Sequence, residues 1–216
     1  MNCIVTAGPT YEELDQVRRL TNFSTGRLGS QLADHLVECG HAVTLLLGHY
    51  ATWRGTQRAQ AVQRFTTTAD LRERLQSLAA RPFDAVFHAA AVSDFTFGKV
   101  FERAADGTLT ECRSDKFSTR TGTLLAELVP TAKLIGELRG WFPGAFITGW
   151  KYEVEGDCYA ALKKAGEQIT AQRTDACVAN GPAYGFGFGL VTRAGEQKHF
   201  SDTAALFAAL ERMARA

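Results

Sequence analysis

The sequence predicts an α/β fold, a Rossmann-like doubly wound and mostly parallel sheet with helices on both faces and a C-terminal β-hairpin. Two observations carry this expectation. Short apolar runs bounded by turn residues alternate with stretches of helical period, the pattern of strands buried on both faces and connected by crossover helices. The tail then changes character: "FGLVTRAGEQKHFS" holds two extended runs about an Ala-Gly turn, followed by a last amphipathic stretch. With 216 residues, 45% of them hydrophobic, the chain can bury one sizeable core, so a single domain over 1–216 is expected, without repeat or linker.

Taken in order, "CIVTA" reads as the first strand, an apolar run closed by Gly8 and Pro9. "RLGSQLADHLVECG" is the first helix, with Leu28, Leu32 and Leu36 on one stripe and Gly40 closing it. "AVTLLL" and "AVQRF" are the next strands, and "TADLRERLQSLAA" is a helix with Thr67 or Thr68 at its cap. "DAVFHAAAV" reads as a buried strand. "GTLLAELVPTAKLIGEL" is expected to be largely helical despite Pro130, and the preceding "TFGKVFERAADGTLTEC" is irregular. "AFITGW" and "DACVAN" are strands on either side of the helix "DCYAALKKAGEQITAQR", and "TAALFAALERMARA" closes the chain as a helix.

Composition narrows the function. A formal net charge of +1, with acidic and basic residues interleaved, offers no electrostatic footprint for nucleic acid or a membrane surface, so small molecules are the expected partners. The five cysteines are odd in number, widely spaced and without a CxxC pair, which argues against a disulfide framework or a zinc site and fits a reducing cytoplasm. "MNCIVTAGPT" lacks the basic and apolar regions of a leader, and no run approaches a membrane span. A cytoplasmic protein with no resident metal is expected.

A dinucleotide fold would place GxGxxG directly between the first strand and its helix. Here more than a dozen residues intervene before "TNFSTGRLG". Asn22, Ser24, Thr25, Gly26 and Gly29 crowd that helix start, where free N–H groups and the helix dipole favour an anion such as phosphate. The plainer alternative is a helix capped by Ser24 or Thr25. A second constellation is "HAAAVSDF": small residues at a strand's carboxyl end, where open α/β sheets bind ligands, followed by Asp94 as an acceptor for hydroxyls. Its plainer reading is alanines packed beneath a helix, with Asp94 capping a turn. His88 reads as a core or strand-end histidine.

In order and with compatible spacing, "VTAGPTYEELDQVR", "NFSTGRLG", "AAAVSDF" and "ACVAN" resemble the signature of phosphopantothenoylcysteine synthetase, the phosphopantothenate–cysteine ligase of coenzyme A biosynthesis. The match spans nearly the whole chain. The resemblance implies a Rossmann-like fold without the dinucleotide fingerprint, and a long first loop serving nucleotide, substrate and dimer contacts. It assigns Gly8, Ser24, Gly26 and Gly29 to the nucleotide triphosphate and Asn180 to the base and ribose pocket, with Trp150 where the family usually has Phe. Asn22, Ala90, Ala91 and Asp94 fall on the phosphopantothenate side. Arg18 matches an arginine that reaches the substrate from the neighbouring subunit, which implies a homodimer.

The implied chemistry needs no prosthetic group. A carboxylate attacks the α-phosphorus of ATP or CTP, carried with Mg2+, and pyrophosphate leaves. The amine of cysteine then attacks the acyl-nucleotidylate, so catalysis is mostly positioning and charge stabilisation. Asn22 is the candidate for the second step and Lys116, in "ECRSDKFSTRTG", for the first, with Lys99 as second candidate and a solvated surface lysine as the plain reading of either. "GWKYEVE" resembles eukaryotic, ATP-using members, whereas "TAGPT" is bacterial in style, and no fused flavin decarboxylase domain is seen. The motifs lean towards ATP and leave CTP open. A Lys151–Glu153 ion pair is the structural reading of the same motif. Two rivals stay in view. One is a Rossmann-type reductase, which wants an acidic residue after "TLLLG" where "HY" stands; the other is a non-catalytic nucleotide-binding subunit.

Overall fold

The computed structural model of the protein describes residues 1–118 and 122–216. Strand β1 (Asn2–Ala7) leads through a small antiparallel pair, β2 (Tyr11–Glu13) and β3 (Arg19–Thr21), into helix α1 (Arg27–Glu38). Strands β4 (Ala42–Gly48) and β5 (Ala61–Phe65), helix α2 (Thr68–Leu78) and strand β6 (Ala85–His88) follow. Next come β7 (Phe95–Arg103), β8 (Leu109–Cys112) and β9 (Thr123–Pro130). Helix α3 (Leu134–Trp141), β10 (Phe146–Tyr152), α4 (Cys158–Gln172), β11 (Ala176–Asn180), β12 (Phe188–Thr192), β13 (Gln197–Phe200) and α5 (Thr203–Arg215) complete the chain.

The main sheet has the order β13-β12-β11-β10-β6-β1-β4-β5. Its strands from β11 to β5 are all parallel, and β12 and β13 add the expected antiparallel hairpin at one end. The chain winds outward from β1 to β4 and β5, then returns to the centre and winds the other way from β6 to β10 and β11. The gap between β1 and β6 is thus the switch point of a doubly wound sheet, where ligands bind beyond the carboxyl ends of the strands.

Alternation along each strand sorts the core into two layers. Val5 and Ala7 join Leu32 and Leu36 of α1 and Leu206 and Leu210 of α5 on one face. Ile4, Leu46, Val86 and Ile147 join Leu71 and Leu75 of α2 and Leu134 and Leu138 of α3 on the other. Helix α4 lays Ala161, Ala165 and Ile169 on Cys177 and Ala179 of β11. Side-chain caps fix three helix starts: Thr67, Asp157 and Asp202 accept from the N–H groups of Asp70, Ala160 and Ala205. No helix among the described residues is long and apolar enough to cross a membrane.

Three local expectations are corrected. Residues Thr123–Pro130 form a strand, not a helix, and only Leu134 onward is helical. Their partner is β7, which pairs antiparallel with both β8 and β9, so the stretch expected to be irregular is a three-stranded sheet. Non-local pairing outweighs local helix preference here, and Pro130 sits at the strand end where its missing N–H does little harm. The buried strand over "DAVFHAAAV" stops at His88. Beyond it Ala89 and Ala91 donate to the carbonyls of Thr6 and Gly8, following β1 as that strand bends away at Gly8.

Candidate active site

The helix start and the strand ends meet through glycine. Gly8 has a φ of 83°, and a Cβ there would lie 2.9 Å from the Ala51 Cβ. Gly26, at φ 75°, has the Gly8 Cα 3.3 Å from where its own Cβ would be, and Ala51 also closes over it. A Cβ on Gly29 would lie 2.6 Å from that of Ala7 and 3.0 Å from the Thr6 carbonyl oxygen, so α1 rests directly on β1. Gly26 is the N-cap and supplies no side-chain cap. The expected capping alternative is therefore weak: Thr25 Oγ1 accepts one bond from the Arg27 N–H at 3.3 Å, and Ser24 caps nothing. The first turn of α1 presents its N–H groups at the switch point, which suits an anion.

The first loop and the alanine segment are joined beside this cluster. Asn22 Nδ2 donates to the carbonyls of Ala91 and Val92, each at 3.3 Å. The Thr10 N–H donates to the Ala91 carbonyl at 3.1 Å, while the Ser93 N–H donates to Thr10 Oγ1 at 2.8 Å. Thr68 meets Thr10 Oγ1 at 3.4 Å, and its own N–H donates to Glu12 Oε1. Asn22 thus meets the alanine segment beside the junction of Gly8, Gly26 and Gly29. Asp94 lies just outside it, exposed and ion-paired with Lys133.

Trp150 and Asn180 occupy the carboxyl ends of the next two strands along the same edge. Trp150 is half-buried, and its indole N–H has no acceptor among the described residues. The Glu153 N–H donates to the Asn180 carbonyl at 2.9 Å, tying β10's exit to β11's. The Lys151–Glu153 pair forms at 3.3 Å, and Lys164 is a second partner. Burial raises the Glu153 carboxyl's pKa, but hydrogen bonds from Lys164 and Lys151 outweigh it and hold the group below its ordinary value.

Arg18 and Lys116 lie together at the tip of the β2–β3 hairpin. Arg18 Nη1 pairs with Asp15 Oδ2 at 2.8 Å and Nη2 donates to the Phe117 carbonyl. Lys116 is exposed and has no ion-pair partner among the described residues, whereas Lys99 pairs with Glu111 at 3.0 Å in the lining of a cavity of about 330 Å³. Residues 119–121 of the lysine segment lie outside the described residues. Asp15 is buried, which raises its pKa, yet N–H donors from Val17, Phe117 and Arg18 and the Arg18 charge hold it below the ordinary carboxylate value.

Sequence reasoning missed Thr6, Thr10, Asp15 and Ala51, although the first two stand inside "VTAGPT". Ala51 follows the second main strand by chain turn alone and carries no chemical signal. His88 is the core histidine expected: it meets Thr6 Oγ1 at 2.9 Å, and burial depresses its pKa from 6.5 to about 4. The unfolded chain therefore binds the proton first as pH falls. Stability from this group is complete above pH 6.5 and falls by about 3 kcal/mol as pH drops towards 4. Denaturant unfolding at pH 7 and pH 4 should show that loss, and His88→Gln should remove most of it.

The family model described as DNA/pantothenate metabolism flavoprotein C-terminal domain matches residues 1–196. The chain belongs to that family. As a member of the DNA/pantothenate metabolism flavoprotein C-terminal domain family it is 32% identical over 190 residues to the coenzyme A biosynthesis bifunctional protein CoaBC of Bacillus subtilis strain 168, covering 88% of this chain and 42% of that protein. The chain spans less than half the length of the curated relatives it matches. Among solved structures, the DNA/pantothenate metabolism flavoprotein from Streptococcus pneumoniae superimposes with a TM-score of 0.85 at 21% identity, over 100% of this chain and 98% of that one. A Cab2 mutant in complex with phosphopantothenate-cysteine superimposes with a TM-score of 0.68 at 17% identity, over 100% and 89%. These two likenesses are of fold.

Proposed function

We propose that the protein joins phosphopantothenate and L-cysteine through an acyl-nucleotidylate, releasing pyrophosphate, in coenzyme A biosynthesis. The observation that carries this reading is the junction at the switch point, where Asn22 links the glycine-lined start of α1 to the carbonyls of the alanine segment. A nucleotide phosphate on the α1 N–H groups and an acyl acid along Ala90 and Ala91 would then be neighbours. Family membership and the name of the Bacillus relative support the same chemistry. A reductase is not favoured, because β4 ends in Gly48 followed by His49 and Tyr50, with no carboxylate there for a ribose.

In this reading the backbone around Gly8, Ser24, Gly26 and Gly29 holds the triphosphate, and Trp150 and Asn180 flank the base and ribose. Asn22, Ala90, Ala91 and Asp94 receive the acyl acid. The acid's carboxylate oxygen forms a bond to the α-phosphorus as the bond to pyrophosphate breaks, and Lys116 neutralises phosphate oxygens in that step. The cysteine amine then attacks the carbonyl, with Asn22 donating to the developing oxyanion, and the nucleoside monophosphate leaves. Mg2+ comes with the nucleotide. Around the start of α1 the site offers N–H and hydroxyl groups, its carboxylate Asp94 is paired with Lys133, and no cluster of three metal-binding side chains occurs among the described residues, so phosphate and water oxygens would ligate it.

The test is pyrophosphate release with phosphopantothenate and cysteine, run with ATP and with CTP. Release that needs the acyl acid and one of the nucleotides supports the reading, and release with neither overturns it. A homodimer is part of the proposal. The Arg18 guanidinium is anchored by Asp15 and the Phe117 carbonyl yet stays partly exposed, so in a dimer it would meet a partner's substrate from that fixed position. Arg18→Ala should raise the KM for phosphopantothenate while leaving nucleotide binding largely intact, and a fully active monomer in sedimentation would refute the shared site.

A further inference from the structure

We infer that Asp15 is a positioning residue for Lys116, fixing the lysine segment to the hairpin whose other end carries Asn22. This rests on the role proposed for Lys116. The Asp15 side chain is wholly buried although it is a carboxylate in a surface turn. Its Oδ1 accepts from the N–H groups of Val17 at 2.9 Å and Arg18 at 2.7 Å. Its Oδ2 accepts from Arg18 Nη1 at 2.8 Å and from the Phe117 N–H at 3.2 Å. One oxygen therefore shapes the turn, and the other reaches 102 residues along the chain to the neighbour of Lys116.

The lysine is held from both sides. On its amino side the Asp115 carbonyl accepts from the Gln16 N–H at 3.0 Å. On its carboxyl side the Phe117 carbonyl accepts from Arg18 Nη2, and the Phe117 ring is buried. Ser114 Oγ completes a local turn by donating to the Lys116 carbonyl at 2.8 Å. The backbone of Lys116 is thus pinned while its side chain stays exposed and without an ion pair among the described residues. A surface lysine needs none of this. A cation that must meet a phosphate at one place gains from a fixed base, because the ordering is done before the substrate arrives. A buried carboxylate satisfied by four donors also tolerates no silent replacement.

Asp15→Asn separates the two halves of the clamp, since Oδ1 can still accept from Val17 and Arg18 whereas an amide Nδ2 opposes the Phe117 N–H and the guanidinium. Expected is a loss of about tenfold in kcat for pyrophosphate release, the size of one hydrogen bond to a charged group, with the KM for nucleotide unchanged. In a Lys116→Ala background the same substitution should cost nothing further, and trypsin should cut after Lys116 faster in Asp15→Asn than in the parent. Additive losses in the double variant, or unchanged cleavage, would overturn the inference. If Lys116→Ala alone leaves the rate intact, the catalytic role of Lys116 falls, and the cleavage comparison still decides whether the clamp exists. Should Asp15→Asn fail to fold, hydrogen exchange of the Phe117 amide in the intact protein decides: protection supports the clamp and free exchange refutes it.

Discussion

Asn22→Asp should still bind nucleotide and form the acyl-nucleotidylate, and should then stall, with the second step slowed by about a hundredfold. The amide is expected to donate to the oxyanion formed when cysteine attacks, and a carboxylate would oppose that charge. The same amide donates to the carbonyls of Ala91 and Val92, so the aspartate also meets two carbonyl oxygens and swings away. Asn22→Ser, which keeps a donor, separates the two effects by restoring part of the rate. Mass spectrometry of a quenched single turnover should find the intermediate accumulated in Asn22→Asp. Absence of intermediate together with lost nucleotide binding would reduce Asn22 to a strut between the first loop and the alanine segment.

Lys116→Ala should slow the first step by roughly a hundredfold, as for loss of a group that stabilises transition-state charge, whereas Lys99→Ala should change it little. The contrast follows from their surroundings. Lys99 is already matched by Glu111, and its backbone N–H by Glu127, so its charge is spent within the three-stranded sheet. Lys116 carries a charge with no such match among the described residues. Rapid-quench measurement of pyrophosphate formation separates the outcomes, and loss confined to Lys99→Ala would mean that the lysines had been assigned in reverse.

The main sheet was legible because its signals are local: apolar runs for strands, a leucine stripe and a Thr67 or Thr68 cap for helices, and the Ala-Gly turn for the hairpin, while the Asp157 and Asp202 caps went unread. The segment Thr123–Pro130 was not, because its leucines, alanine and glutamate suit a helix and the decision rests with β7, whose paired residues lie about 20 to 35 positions earlier. Exposure hides it further: β9 is open to solvent along most of its length, so no alternation marks it. At the candidate site, Gly8, Gly26 and Gly29 were readable as glycines, but not that two of them touch each other beneath Ala51. The Asp15 clamp was unreadable for the same reason, since nothing in "ELDQVR" announces a partner at Phe117.

The contact between Thr6 and His88 joins residues 82 apart in sequence. It lies beside the switch point, so bringing the alanine segment to the glycine cluster depends on a non-local pairing whose loop-closure entropy is met before its contacts form. Regain of catalysis during refolding should therefore coincide with docking of β6 on β1 rather than with helix formation, and helices seen by far-ultraviolet circular dichroism should precede it. A nascent chain emerging from the ribosome would carry a complete glycine cluster and first loop long before the alanine segment exists to face them, and until then it would have no pocket to offer.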